Sequence, residues 1–355
     1  MSGIAFRPPG GNLADALRRH RAVLIAYGIA VLLFLIGTLH SSAFASGPQL
    51  RSMLIYAGFI GIIGFGQTLC ILTGGIDLSV PWVLTGSAVL TSILADGHSS
   101  RLLWIIPLVF ALAIVVGLVN GVGIAYIGVP PIIMTLGMNG TLQGLLLVYT
   151  NGGISSTPPQ GLITLTTSHL AGIPFVVVVW IVVAVIACVL LSATSFGRRL
   201  YAVGTNARAS ELAGVRVRRV VVVPYVVSAV CAVVAGLLLM GFNGQAFLTM
   251  GDPYLFSSAV AVAVGGASIL GGAGHYAGTI AGAIVLTLIA SLLQLFNLGA
   301  AWLQIGYGVI LLATVYVAGV SRSRHHRAGQ AAIETADQQL ADEALDRPME
   351  ATDVY

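Results

Sequence analysis

Lysine is missing from all 355 residues, and the 16 basic side chains are arginines throughout. A Walker A loop needs a lysine to reach the nucleotide phosphates, so this chain cannot form one. Lysine Schiff-base chemistry is excluded on the same ground. If ATP drives this protein, another subunit hydrolyses it. Charge is scarce as well, at 8% of the sequence. The three cysteines, Cys70, Cys188 and Cys231, each lie inside an apolar run, which argues against disulfides and against a metal-ligand spacing. Seven histidines form no ligand pattern, and His325 and His326 sit in a basic stretch where solvation is expected. No His-Glu-x-x-His pair and no Gly-x-Ser-x-Gly elbow occurs, so no catalytic residue is singled out and no cofactor or metal is implied. Nothing points to nucleic acid as a partner.

Apolar residues fill the space. They make up 57% of the chain, and the mean hydropathy of +0.97 is incompatible with a soluble globule. The runs match the ~20 residues that cross a ~30 Å hydrocarbon slab. They predict an all-α, polytopic helical membrane protein with spans near 22–39, 53–73, 79–95, 102–127, 131–149, 174–193, 221–241, 256–273, 276–296 and 301–320. That is about ten crossings, of which the Gly-rich eighth is expected to be broken. The chain therefore divides into a cytoplasmic head (1–21), a transmembrane domain (22–320) and a cytoplasmic tail (321–355). Ala43-Phe44-Ala45 resembles a signal-peptidase site, but the run from Ala22 to Leu39 exceeds the usual signal core, and a retained first span is expected.

Arginine placement fixes the orientation. With the N-terminus inside, the head, the 194–220 segment and the tail hold 14 of the 16 arginines, leaving only Arg51 and Arg101 outside. The excess of positive charge on one side then places both termini in the cytoplasm. Beyond Ser321 the tail turns acidic, with Glu334, Asp337, Asp342, Glu343, Asp346, Glu350 and Asp353, and is expected to be disordered or loosely helical. The outer loop from Thr150 to Ile173 is uncharged and stiffened by Pro158-Pro159, with room for a short interfacial helix.

Three segments stand out. The first is Gly74 to Val80, reading GGIDLSV, where Asp77 is the only carboxylate between Arg51 and Asp96. An acid at that depth is costly unless it caps a helix, pairs or faces water. Gly74 and Gly75 let the chain bend, and Asp77 or Ser79 can cap the helix that follows. Such a break builds a non-helical wall along a transport pathway, although a tight loop with a capping acid fits the same residues. The second is the inner loop from Ser195 to Val215. Within it Asn206 is a good N-cap for a short helix over Ala207 to Ala213, which contains Glu211 and which Gly214 would stop in a left-handed conformation. That helix can serve as a lever for a soluble partner, while the surrounding arginines set topology or meet anionic headgroups. The third runs from Gly265 to Ala283, where Gly265, Gly266, Gly271, Gly272, Gly274, Gly278 and Gly282 suit tight helix packing or a subunit interface, with a substrate path as the alternative. Five spans after GGID, Met250-Gly251-Asp252-Pro253 repeats a Gly-Asp turn before an apolar run, a shift that would invert topology.

Together the three segments, in consistent order over roughly 50–320, resemble the membrane permease subunits of bacterial ABC importers for ribose, xylose and related monosaccharides. Two residues depart from that family's pattern: Pro81 and Thr205 stand where glycines are usual. The resemblance implies a multi-pass protein of the bacterial inner membrane that supplies the pathway and no covalent chemistry. It implies two permease chains, identical or paralogous, and two cytoplasmic ATPases docked on the inner loops, with Gly204, Asn206, Glu211 and Gly214 in the coupling segment. It also implies an extracytoplasmic binding protein that delivers the solute, and it places Gly74, Gly75, Asp77 and Ser79 along the pathway. The low charge of the spans favours a neutral polar cargo. A nucleoside, an autoinducer-type furanose, a sugar alcohol or a branched-chain amino acid fits the same architecture. An ion-coupled secondary transporter would keep several acids or bases in its spans, and here Asp77 is nearly alone.

Overall fold

The computed structural model describes residues 13–299, 301–314 and 316. The expectations for the tail, including His325 and His326, fall outside the described residues. Contacts divide the chain into a body ending at Leu311 and a separate unit beyond it.

Ten apolar helices are present among the described residues, seven long enough to cross a membrane and three shorter. In chain order the helices are α1 (Leu13–His40), α2 (Gly47–Leu72), α3 (Val80–Ala95), α4 (Leu102–Val122), α5 (Pro131–Thr150), α6 (Gln160–Thr167), α7 (Phe175–Ala193), α8 (Ser195–Thr205), α9 (Ala207–Leu212), α10 (Val217–Asn243), α11 (Tyr254–Val264), α12 (Tyr276–Leu295) and α13 (Ala301–Thr314). Helices α6, α8 and α9 are not spans. The only strands among the described residues, β1 (His169–Leu170) and β2 (Ile173–Pro174), form a small antiparallel hairpin. The outer loop thus does contain a short helix, α6. Prolines open α2, α3 and α5 in their first turns, where the missing N–H is tolerated. Pro81 is one of these, as its sequence position predicts.

α2 is the central post. It packs on α7, α10, α11 and α12, and its residues from Ala57 to Leu72 are buried. Glycines make this possible by letting a different neighbour approach at each turn. A side chain at Gly61 would overlap Trp180 of α7, one at Gly64 would crowd Thr279 of α12, and one at Gly66 would overlap Ser228 of α10. Buried polar groups tie the same helices together. Trp180 Nε1 donates to Tyr276 Oη at 3.3 Å, Tyr276 donates to the Gly61 carbonyl at 2.8 Å, and the Thr68 and Thr279 hydroxyls pair at 2.8 Å.

Two boundaries differ from the sequence reading. The eighth run leaves the helix after Val264 and continues as irregular chain to His275, so the break is real and sits in the second half of that run. Residues 195–205, expected to be part of a loop, form α8. Its apolar side buries Leu200 and Val203 while Arg198 and Arg199 stay exposed, and Thr194 caps it by accepting from the Gly197 N–H at 3.1 Å. Only a few apolar residues line that face, so no long run announces the helix.

Candidate functional site: a helix break where three segments meet

The GGIDLSV break lies between α2 and α3. Gly74 adopts φ +83°, a left-handed conformation that ends α2, and the chain then runs without helix to Val80. Asp77 and Ser79 are 1% and 0% exposed. The capping expected of this pair is displaced by one step. Ser79 occupies the N-cap position without a side-chain cap bond, and Asp77 instead binds Ser79 itself. Its Oδ1 accepts from the Ser79 N–H at 2.9 Å and from the Ser79 hydroxyl at 2.6 Å. Ser79 Oγ in turn accepts from Asn120 Nδ2 of α4 at 2.9 Å. Thr135 of α5 donates to the Ile76 carbonyl at 3.2 Å. Tyr225 of α10 presses its hydroxyl on Gly75, where a Cβ would overlap it. Ser228 of α10 neighbours both Asp77 and Cys70. The break is therefore walled by polar side chains of α4, α5 and α10. Asn120, Tyr225 and Ser228 carry no sequence signal of their own, because each is a single polar residue within an apolar run.

Just below this knot, the three sequence segments converge. The Gly272 N–H donates to the Leu72 carbonyl at 3.0 Å, joining the glycine-rich stretch to the end of α2. A Cβ at Gly204 would overlap that same Leu72 oxygen. One at Gly271 would lie 2.9 Å from the Gly74 nitrogen and 3.1 Å from the Gly204 oxygen. Tyr201 of α8 donates to the Gly274 carbonyl at 2.7 Å, and Thr205 packs beside Gly272. Gly204, Gly271 and Gly272 thus form one backbone junction with no room for side chains, and Gly74 beside them is held by its positive φ. Gly265 and Gly278 face each other between the ends of α11 and α12, and Gly266 packs on Ala22 of α1. Gly274 packs on Ala267 and Gly282 on Ala261, so all seven glycines assigned to packing meet atoms of their own chain.

The coupling segment divides in two. Gly204 belongs to the junction. Asn206, Glu211 and Gly214 belong to the exposed helix α9. Asn206 Oδ1 accepts from the Ala209 N–H at 3.0 Å. At the other end Gly214, at φ +82°, donates to the Glu211 carbonyl at 2.9 Å while Val215 donates to Ser210 at 3.0 Å. This is the paired bond pattern of a Schellman stop. Glu211 and Arg208 form an exposed 3.8 Å ion pair, and Leu212 at 79% exposure projects from the end of α9. α9 is fixed at both ends and its outer side is exposed.

Two further features were not legible in sequence. The Gly251 turn before α11 reaches the second turn of α3: its N–H donates to Thr85 Oγ1 at 3.0 Å. Both short helices thus follow a Gly-Asp turn and meet near their N-termini. α5, in turn, is largely uncovered, with 11% of its apolar window buried against 89% for α2. Gly137, Gly140, Thr141 and Gly144 are exposed at i, i+3, i+4 and i+7, along one face, and no atom of the described residues lies within 4 Å of a Cβ built at the three glycines.

A bundle of this kind, with a broken span, a capped helix at the end of the arginine-rich loop and no nucleotide-binding loop, defines a membrane permease that leaves ATP hydrolysis to another protein. Residues 49–315 match the family described as the branched-chain amino acid transport system permease component, and the chain belongs to that family. The ribose import permease RbsC of Bacillus subtilis is 32% identical over 303 residues, covering 81% of this chain and 89% of that protein. The autoinducer 2 import system permease LsrC of Salmonella typhi is 30% identical, covering 85% and 87%. A probable ABC transporter permease, y4mJ, of Sinorhizobium fredii is 30% identical, covering 88% and 93%. No solved structure matches the chain. The protein is thus the multi-pass inner-membrane permease subunit of an ABC importer, a transport subunit rather than an enzyme. It works with a separate ATPase and a substrate-binding protein.

Proposed function

We propose that this chain forms half of the translocation pathway for a neutral polar solute of the ribose and xylose class, paired with a second permease chain. The observation that carries the reading is the convergence of the GGIDLSV break, the end of α8 and the glycine-rich stretch in one junction beside a polar knot. An ATPase pushing on α9 would move α8, and α8 meets the end of α2 at Leu72 through Gly204 and the glycine-rich stretch through Thr205. The mechanical path from nucleotide to pathway is then a few residues long. Gly74, Gly75, Asp77 and Ser79 act at the gate.

The exposed face of α5 supports the second chain. Glycines and a threonine facing lipid gain little there, whereas facing another helix they allow close approach. Arginines 198, 199, 208, 216, 218 and 219 gather around α8, α9 and the start of α10, which favours a cytoplasmic position for this surface and for both termini. Arg218 lies 5.3 Å from the centroid of Tyr126, in the turn that links α4 to α5, and so draws that turn to the same side.

The cargo follows from charge and kinship. No arginine or lysine is present in 52–97, 102–168 or 220–251, so an anion would find no partner around the break. Ribose is named for one relative and autoinducer 2 for another, which makes a furanose signal molecule the second reading. The test is uptake by vesicles holding the permease, its ATPase and its binding protein. ATP-dependent accumulation of labelled ribose or xylose, competed by unlabelled pentose, is expected. Accumulation competed only by branched-chain amino acids would refute the sugar assignment.

A further inference from the structure

Hydrogen-bond direction in the knot is forced. Ser79 has one hydroxyl proton, and the 2.6 Å bond sends it to Asp77 Oδ1. Asn120 must therefore present Nδ2 to Ser79 Oγ, which leaves its Oδ1 as the remaining atom. Asp77 Oδ2 and Asn120 Oδ1 are both buried with no partner at hydrogen-bond distance among the described residues, and the same holds for Tyr225 Oη and for Ser228 Oγ, which neighbours Asp77. Four oxygens on the break, α4 and α10, one of them the carboxyl's own, are thus unspent.

Among the described residues that carboxyl has no cationic neighbour. The groups around it are Cys70 of α2, Ser79 of the break, Asn120 of α4, and Tyr225 and Ser228 of α10, with Thr135 of α5 on the next carbonyl; none carries positive charge. Residues 52–97, 102–168 and 220–251, which supply these elements, contain no arginine, lysine or histidine. A water molecule could donate to the free lone pairs, but it would leave a whole negative charge inside the bundle. An unpaired buried ion costs several kcal/mol after relaxation. What fills the knot must carry one positive charge. The unpartnered atoms are oxygens of carboxylate, amide, hydroxyl and phenol, with the Cys70 thiol beside them; such oxygens suit a hard cation, and the single acid matches a single charge.

We propose that the knot binds one monovalent cation, a proton or a sodium ion, held against Asp77 Oδ2 while the break is packed as described. The cation closes the break electrostatically, and opening the break to water releases the need for it. This site is independent of which solute the permease carries.

The test uses the assembled permease complex in lipid nanodiscs. Infrared spectra of the wild type and Asp77→Asn are compared, and melting temperatures are measured in sodium chloride against N-methylglucamine chloride. A protonated-carboxyl band lost in Asp77→Asn identifies a proton. A melting temperature that rises with sodium in the wild type but not in Asp77→Asn identifies sodium, and Asn120→Ala should then weaken the apparent sodium affinity about tenfold. If Asp77→Asn does not fold, Asn120→Ala and Ser228→Ala retain the carboxyl and must shift either its band or the sodium response. An ionised Asp77 with no sodium response, unchanged in both variants, overturns the proposal.

Discussion

Gly204 and Gly214 flank the same short helix yet answer to different constraints. At Gly204 a Cβ would overlap the Leu72 carbonyl, and backbone cannot step aside. Gly204→Val should cost about 3 kcal/mol or more and remove most of the folded protein, read as the monodisperse fraction in detergent. At Gly214 there is open space but φ is +82°, so Gly214→Val should cost only about 1–2 kcal/mol locally. Folded yield should then persist while stimulation of the ATPase by loaded binding protein falls. Equal loss of folded yield in both variants would contradict this division. Asn206→Ala removes the cap bond at Ala209, worth about 1 kcal/mol. Amide exchange in 207–212 should speed up without change in α8; unaltered exchange would show the cap to be idle. Asp77→Ala should lower transport or folding yield markedly, and wild-type uptake with normal expression would make the acid incidental.

At the scale of elements, what could be read from sequence was what depends on neighbours along the chain. Asn206 and Gly214 announce the ends of α9 because capping is a local transaction between a side chain, or a glycine, and the nearest peptide groups. Pro131 begins α5 for the same reason. α8 went unread because a surface helix needs only Leu200 and Val203 on its buried side, and two apolar residues make no run. Asn120 and Ser228 are not legible in sequence because Asn120 reaches Ser79, and Ser228 reaches Asp77, through packing of α4 and α10 on the break, separations that local pattern does not encode. α5 yields the sharpest element-level prediction. In a background without native cysteines, Gly140→Cys should cross-link two copies of a homodimer, or this chain to a paralogous partner. Val189→Cys on the exposed side of α7 serves as the lipid-facing control and should not. The reverse result would place the second permease elsewhere.

For the molecule as a whole, the arrangement separates labour. A buried post, α2, ends at Leu72 in a junction shared by the helix break, the end of α8 and the glycine-rich stretch, and under the proposed function a push on α9 has a short route to the pathway. The lack of lysine excludes a Walker A loop and lysine Schiff-base chemistry from this chain. The central claim is that transport through this chain is driven from outside it. The most direct test compares vesicles containing the permease alone with vesicles containing permease, ATPase and binding protein, both loaded with ATP on the ATPase side and given labelled pentose. The account predicts concentrative uptake only in the complete assembly, abolished when the ATPase cannot hydrolyse ATP. Concentrative uptake by the permease alone, driven by an ion gradient and collapsed by a protonophore, would contradict it.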